Sequence, residues 1–157
     1  MGGAGTNAGV GWAWVLLCGA MAVHTADEAT HGFLSVYNPT VVELRARTAW
    51  LPLPTFGFTE WLAGLIAVNI LLLALSGFVF RGTKVARRAA YALACIMVLN
   101  AIGHTAGTIF GRTVASVRFP RPMPGFYSSP LLFAAGVYLL YQLAASRSPG
   151  SRGPVAG

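Results

Sequence analysis

The sequence predicts an all-α fold, an integral membrane bundle of about four transmembrane helices. Three observations carry this expectation. Of the 157 residues, 55% are hydrophobic and only 10% are charged, where a soluble domain carries about a quarter. The apolar residues fall into four runs, at 10–37, 60–80, 88–111 and 126–145, each near or above the ~20 residues a helix needs to cross ~30 Å of hydrocarbon. The basic residues gather at the ends of those runs, where they meet lipid headgroups.

Taken in order, residues 1–9 read as an N-terminal tail before the first run. The stretch 10–23, with Ala20-Met21-Ala22, has the outline of a cleavable leader. It lacks a positive start, and cleavage would cut it from the polar residues that follow, so it reads as the first membrane helix. The opening Met1-Gly2 with Thr6 fits a loose acylation pattern and is taken as chance. In the connection 38–59, Thr40 and Glu43 have capping-box spacing, which predicts a short interfacial helix ended by Pro52 and Pro54. The loop 81–88 holds Arg81, Lys84, Arg87 and Arg88, and the loop 112–125 holds Arg112, Arg118 and Arg121 among three prolines. Residues 147–157, rich in Gly, Ser and Pro, read as a disordered tail.

Trp12, Trp14, Trp50 and Trp61 fall near predicted boundaries, as an aromatic belt would place them. Cys18 and Cys95 lie inside apolar runs and read as small buried residues. Asn69, alone in the second run, predicts an interhelical hydrogen bond.

The net charge of +7 suggests nucleic acid at first sight, but no basic patch is interleaved with aromatics, so that partner is excluded. Membrane lipids are the expected partners. Ten of the eleven basic residues are arginine, and with abundant Ala and Gly this hints at a bacterial cytoplasmic (inner) membrane. The positive-inside rule puts the loop 81–88 and both termini in the cytoplasm, with six basic residues inside and five outside.

The first run contains His24, Asp27, Glu28 and His31. At 100° per residue, all four point from one arc of about 100° over two helical turns. Ionisable groups at membrane depth are costly unless paired, hydrated or metal-bound, so they mark function by default. The third run supplies Asn100 and His104 on one face. The first and third spans run in the same direction, and counting from their starts brings His24 and His104 to a similar depth. Gly103, Gly107 and Gly111 form a small-residue stripe on that face. This predicts that the first and third spans pack closely, with His104 against the acidic cluster.

Three imidazoles and two carboxylates suit a divalent transition metal, Zn, Fe or Mn. A metal-free hydrogen-bond network that holds helices together or relays protons is the alternative.

At these residues the chain resembles the HXXEE-motif family of small bacterial membrane proteins. The marks appear as His24-Thr25-Ala26-Asp27-Glu28, His104, and Pro122-Met123-Pro124-Gly125. Asp27 stands where the family has Glu, and Pro122 where it has Tyr, so the role of that hydroxyl is absent or passes to Tyr127. The resemblance implies a site at these residues and names no reaction.

The expected function is therefore a membrane-embedded metal-dependent enzyme, a hydrolase or an oxidoreductase, acting on a lipid-soluble or amphiphilic substrate. His24, Glu28 and His104 are the expected ligands, Asp27 a further ligand or general base, and His31 a completing or orienting group. Asn100 would hydrogen-bond a ligand or the substrate. Arg45, Arg47, Arg112, Arg118 and Arg121 flank the mouth, where they anchor the chain in headgroups or hold an anionic one. The rival expectations are a carrier with the cluster as a proton or cation relay, and a scaffold with the cluster as structural glue.

Overall fold

A computed structural model describes residues 3–48, 50 and 52–146; the segment expected to be a disordered tail, 147–157, lies outside them. The described residues form six helical segments: α1 (Gly3–Thr30), α2 (Leu34–Arg47), α3 (Phe58–Ala74), α4 (Ser76–Phe80), α5 (Lys84–Phe110) and α6 (Ser129–Ala145). Three stretches, Asn7–Thr30, Phe58–Phe80 and Lys84–Phe110, are long and apolar enough to cross a membrane, and α6 is a shorter apolar helix. The all-α membrane architecture is as expected.

The boundaries differ from the sequence reading in instructive ways. α1 begins at Gly3, so the expected N-terminal tail is helical from that residue on. At its other end the first run does not continue to residue 37. Gly32 takes a left-handed conformation, φ +72°, and the Phe33 N–H donates back to the Glu28 carbonyl at 3.0 Å. That six-to-one bond with glycine at the left-handed position is a Schellman stop. The helix restarts as α2, and Thr40 lies inside it, its hydroxyl donating to the Val36 carbonyl at 2.7 Å, so Thr40 does not cap a helix. Asn38 then clamps the returning chain, donating to the Phe56 carbonyl at 2.9 Å and accepting from the Phe56 N–H at 3.1 Å. Glu60 turns its carboxylate to the Gly57 N–H, and the Thr83 hydroxyl accepts from the Ala86 N–H to cap α5.

α6 packs along both α1 and α5, and α1 also packs on α3 and α4. Leu132, Leu139 and Leu143 of α6, Trp14 and Leu17 of α1, and Ala90 and Ala94 of α5 are buried in one cluster. In lipid, burying a leucine against another helix gains little hydrophobic free energy, so close fit decides the packing. Helices approach closely at Gly11, where a Cβ would run into the Phe80 ring of α4, and at Gly136, where one would lie 2.8 Å from Val98 Cγ2 and 3.3 Å from the Ala94 carbonyl. The small residues that bring helices together thus include Gly11, between α1 and α4, and Gly136 facing Ala94, between α6 and α5. The expected stripe of Gly103, Gly107 and Gly111 does not do this. A Cβ on Gly103 meets nothing, one on Gly107 would collide with Met123, and Gly111 is the left-handed cap of α5 beneath Arg121. α1 and α5 meet through side chains, with α6 packed against both.

The belt reading also needs correction. Trp12 and Trp50 are exposed, but Trp14 is buried and donates from Nε1 to the Leu72 carbonyl at 3.0 Å, and Trp61 is buried against Phe33. Asn69 makes the expected interhelical bond, donating to the Cys18 carbonyl at 3.1 Å. Cys18 is buried as expected, whereas Cys95 faces outward.

α6 has 17 residues, about 26 Å of helix and short of a ~30 Å hydrocarbon core. The chain ahead of it packs into the bundle as well. Pro124, Gly125 and Ser128 are buried, so the segment enters the bundle as irregular backbone. Such backbone is tolerated at membrane depth only where protein satisfies it. Here the Met123 N–H donates to the Thr108 hydroxyl at 3.0 Å, and the Phe126 N–H to the Met123 carbonyl at 3.0 Å.

Candidate metal centre

The entering segment ends on the polar cluster. Gly125 has φ +88°, and a Cβ there would stand 2.7 Å from His104 Cε1 and 2.9 Å from His24 Cε1. Glycine is required twice over at this position, for its backbone and for its lack of a side chain. The two imidazoles lie edge to face with centroids 4.8 Å apart. Glu28 Oε1 stands between them, 3.5 Å from His24 Nε2 and 3.2 Å from His104 Nε2. All three residues are about 5% exposed or less, which buries a carboxylate and two imidazoles together. The expected meeting of His104 with the acidic cluster is therefore present, and it is made by side chains at one depth.

Ser128, which sequence reasoning missed, organises the other side of His24. Its hydroxyl is 2.8 Å from His24 Nδ1 and donates to Asp27 Oδ2 at 2.7 Å, while its backbone N–H donates to the same oxygen at 2.8 Å. A hydroxyl has one proton. Since it goes to the carboxylate, Ser128 accepts from His24 Nδ1–H, and Nε2 is left as a bare lone pair. That nitrogen is buried and has no hydrogen-bond partner. A carboxylate acting through a neighbour to set the tautomer and ring orientation of an imidazole is how metal-binding histidines are held. The available signal was Ser128-Ser129-Pro130 opening the last helix; what it could not reveal was which distant carboxylate would meet it.

His24, Glu28 and His104 offer ligand atoms that all lie within 4.8 Å of one another. Among the described residues, neither Asp27 nor His31 joins this set. Asp27 holds the start of α6 through Ser128, so it is not placed as ligand or general base. His31 Nδ1 lies 2.8 Å from Asp27 Oδ1, with its side chain half exposed. It sits just past the end of α1, against the ring of Tyr127, and Tyr127, itself exposed, is not brought to the cluster.

The set fits a transition metal on two grounds. Two imidazoles and one carboxylate are suitable donors with a fourth position left for water or substrate, and His24 Nε2 and His104 Nδ1 are buried polar atoms without partners. Orphaned atoms of this kind are rare in native interiors and call for an explanation such as an ion or water.

Asn100 and His104 line a cavity of about 620 Å³ between α2, α5 and the loop that follows α5; its walls include Phe33, Val36, Phe110 and Met123. Arg45 and Arg47 do not reach it. Arg47 pairs with Glu43 at 2.9 Å and Arg45 donates to the Leu53 carbonyl. The arginines Arg112, Arg118 and Arg121 line a second hollow next to it.

Fold and site together define a helical protein of membrane type with a buried His₂Glu cluster beside an apolar cavity. Comparison with protein-family models, with curated proteins and with solved structures finds no match to this chain.

Proposed function

We propose that the protein is a membrane-embedded metal-dependent enzyme that binds one divalent transition ion, Zn, Fe or Mn, between His24, Glu28 and His104. It acts on an amphiphilic substrate held in the cavity beside His104. The observation that carries this reading is the convergence of three buried ligand atoms within 4.8 Å, one of them a lone pair kept bare by Asp27 and Ser128. A bound ion would supply Lewis acidity and an activated water, the basis of hydrolytic chemistry, or redox chemistry if the ion is iron. The chain's own residues do the rest. Asp27 and Ser128 hold His24 in one tautomer, Gly125 and Phe33 close the cluster against water, and Asn100, whose Oδ1 is also buried without a partner, faces the cavity as a substrate acceptor. The proposed relationship to HXXEE-motif proteins rests on the sequence marks at His24, Asp27, Glu28 and His104.

Elemental analysis of protein purified without chelator tests this. One equivalent of transition metal is expected in the wild type and less than a hundredth of the wild-type affinity in Glu28→Gln, because direct ligands matter more than the roughly ten- to hundred-fold of their supporting groups. A specific observation favours a second reading: Glu28 Oε1 lies at ion-pair distance from both imidazoles, as in a proton relay. Wild-type protein without stoichiometric metal would overturn the metal site and turn the reading to the relay.

The setting we infer is a bacterial cytoplasmic membrane, with α6 as a fourth span and both termini inside. In a Cys18→Ala, Cys95→Ala background, Val114→Cys should react with an impermeant thiol reagent in intact cells and Lys84→Cys should not. Equal reactivity of both positions contradicts this topology.

A further inference from the structure

The chain has four acidic residues, and each is committed: Asp27 to Ser128, Glu28 to two imidazoles, Glu43 to Arg47 and Glu60 to the Gly57 N–H. None is left for Arg112, Arg118 and Arg121. These three are exposed and have no acidic partner among the described residues, yet they surround one hollow of about 420 Å³. The backbone gathers them there. Arg112 and Arg118 stand opposite each other in an antiparallel bridge, so their side chains leave on the same face. The turn between them is closed by the Thr113 N–H to the Val117 carbonyl and the Ser116 N–H to the Thr113 carbonyl, both at 2.9 Å. Ser116 takes φ +65° to make that turn, a conformation that non-glycine residues adopt at a cost. Arg121 then folds back over Gly111, where a Cβ would lie 2.7 Å from its Nε.

Like charges directly opposite in a paired backbone repel. A strained turn that brings two guanidinium groups together, with a third beside them and no carboxylate, is accounted for by an anion among them. The donors outnumber what the two oxygens of a carboxylate accept, whereas a phosphate monoester presents three strong acceptor oxygens. Phe110 and Arg112 line both this hollow and the apolar cavity with His104 on its wall. An anion held here would therefore sit at the mouth of a space suited to a hydrocarbon chain.

We infer that Arg112, Arg118 and Arg121 bind the phosphate headgroup of an amphiphile whose apolar part enters the cavity beside His104. This names the substrate class for the enzyme proposed above and rests on that reading for the word substrate; the binding itself requires no metal.

The test is calorimetric titration of the full chain in dodecyl maltoside with dodecyl phosphate, dodecyl phosphocholine and inorganic phosphate. Dodecyl phosphate should bind saturably with one equivalent, and inorganic phosphate should compete about a hundred-fold more weakly. Arg118→Gln and Arg121→Gln should each weaken dodecyl phosphate about ten-fold, the scale of a lost charge-assisted hydrogen bond. Arg88→Gln, at the far end of α5, should not. If a glutamine variant fails to fold, Arg118→Lys, which keeps the charge and loses the fork, should still weaken binding several-fold. Inorganic phosphate binding as tightly as dodecyl phosphate would show a free-anion site and overturn the amphiphile. Dodecyl phosphocholine binding equally well, or only unsaturable uptake, would show general headgroup anchoring and overturn the site. Glu28→Gln should bind dodecyl phosphate like the wild type. Metal without dodecyl phosphate binding removes this inference alone, and dodecyl phosphate binding without metal removes the enzyme reading alone.

Discussion

The two ends of the bundle treat their polar groups in opposite ways. At the end where α4 turns into α5, no buried side-chain polar atom among the described residues is left unmatched. Trp14 donates to the Leu72 carbonyl, Thr83 caps α5, and Arg87 donates to the Leu143 carbonyl at 3.1 Å and to the Ser146 hydroxyl at 2.7 Å. At the other end the pattern reverses. Five buried side-chain polar atoms lack a hydrogen-bond partner among the described residues; three, on His24, Asn100 and His104, lie in or beside the cluster, and a fourth, Asp27 Oδ1, stands at ion-pair distance from His31. The fifth, on Asn69, belongs to an amide already bonded to the Cys18 carbonyl. A buried polar atom left unmatched costs about 1–3 kcal/mol, so one end of this bundle is built for stability and the other gives stability up. What that teaches is where a ligand belongs.

Substitutions can break or sharpen this contrast. The largest effect is expected from Gly125→Ala, because the added methyl group meets both histidine rings and the backbone must hold φ +88°. Metal affinity should fall by at least about a hundred-fold, more than the loss of a supporting hydrogen bond brings. A Gly125→Ala protein with wild-type metal content would show that the entering segment does not shape the site. Next comes Ser128→Ala, which frees the His24 ring from Asp27. Affinity should drop about ten- to hundred-fold with stoichiometry recovered at high metal, read by competition with a chromogenic chelator. Trp14→Phe, at the matched end, removes one hydrogen bond and should lower stability by about 1 kcal/mol while leaving metal content intact. A metal loss there would erase the contrast between the two ends. The smallest effect is expected from His31→Ala, whose exposed ring should change metal affinity less than about two-fold, since it lies outside the ligand set. A large loss would return His31 to the site.

Much of this was legible in the chain. Hydropathy runs of membrane length follow from composition and the 1.5 Å helical rise, and these need no tertiary information. Depth is legible for the same reason, which is why His24 and His104 were expected to meet and do. The arc of His24, Asp27, Glu28 and His31 was legible too, but an arc of about 100° is wide enough to face two neighbours. Asp27 and Glu28 sit at its opposite edges, so Asp27 meets the start of α6 and Glu28 meets His104, with His24 between them touching both sides. Helical periodicity fixes directions from an axis; it does not say which helix stands in each direction.

The rest was decided by the tertiary structure. Whether a glycine serves as a helix stop, a helix contact or a seat for a loop depends on what approaches it. Gly32, Gly136 and Gly125 fill those three roles, while the evenly spaced Gly103, Gly107 and Gly111 bring no helices together. Ser128 carried no periodic signal, because its importance comes from Asp27, a partner 101 residues away. The sequence by itself determined an all-helical membrane chain with histidines and carboxylates at one depth, since rise per residue and hydrophobicity are local properties. Only the packing of α6 against α1 and α5 decided which of those residues form the centre, because the contacts that select them join residues remote along the chain.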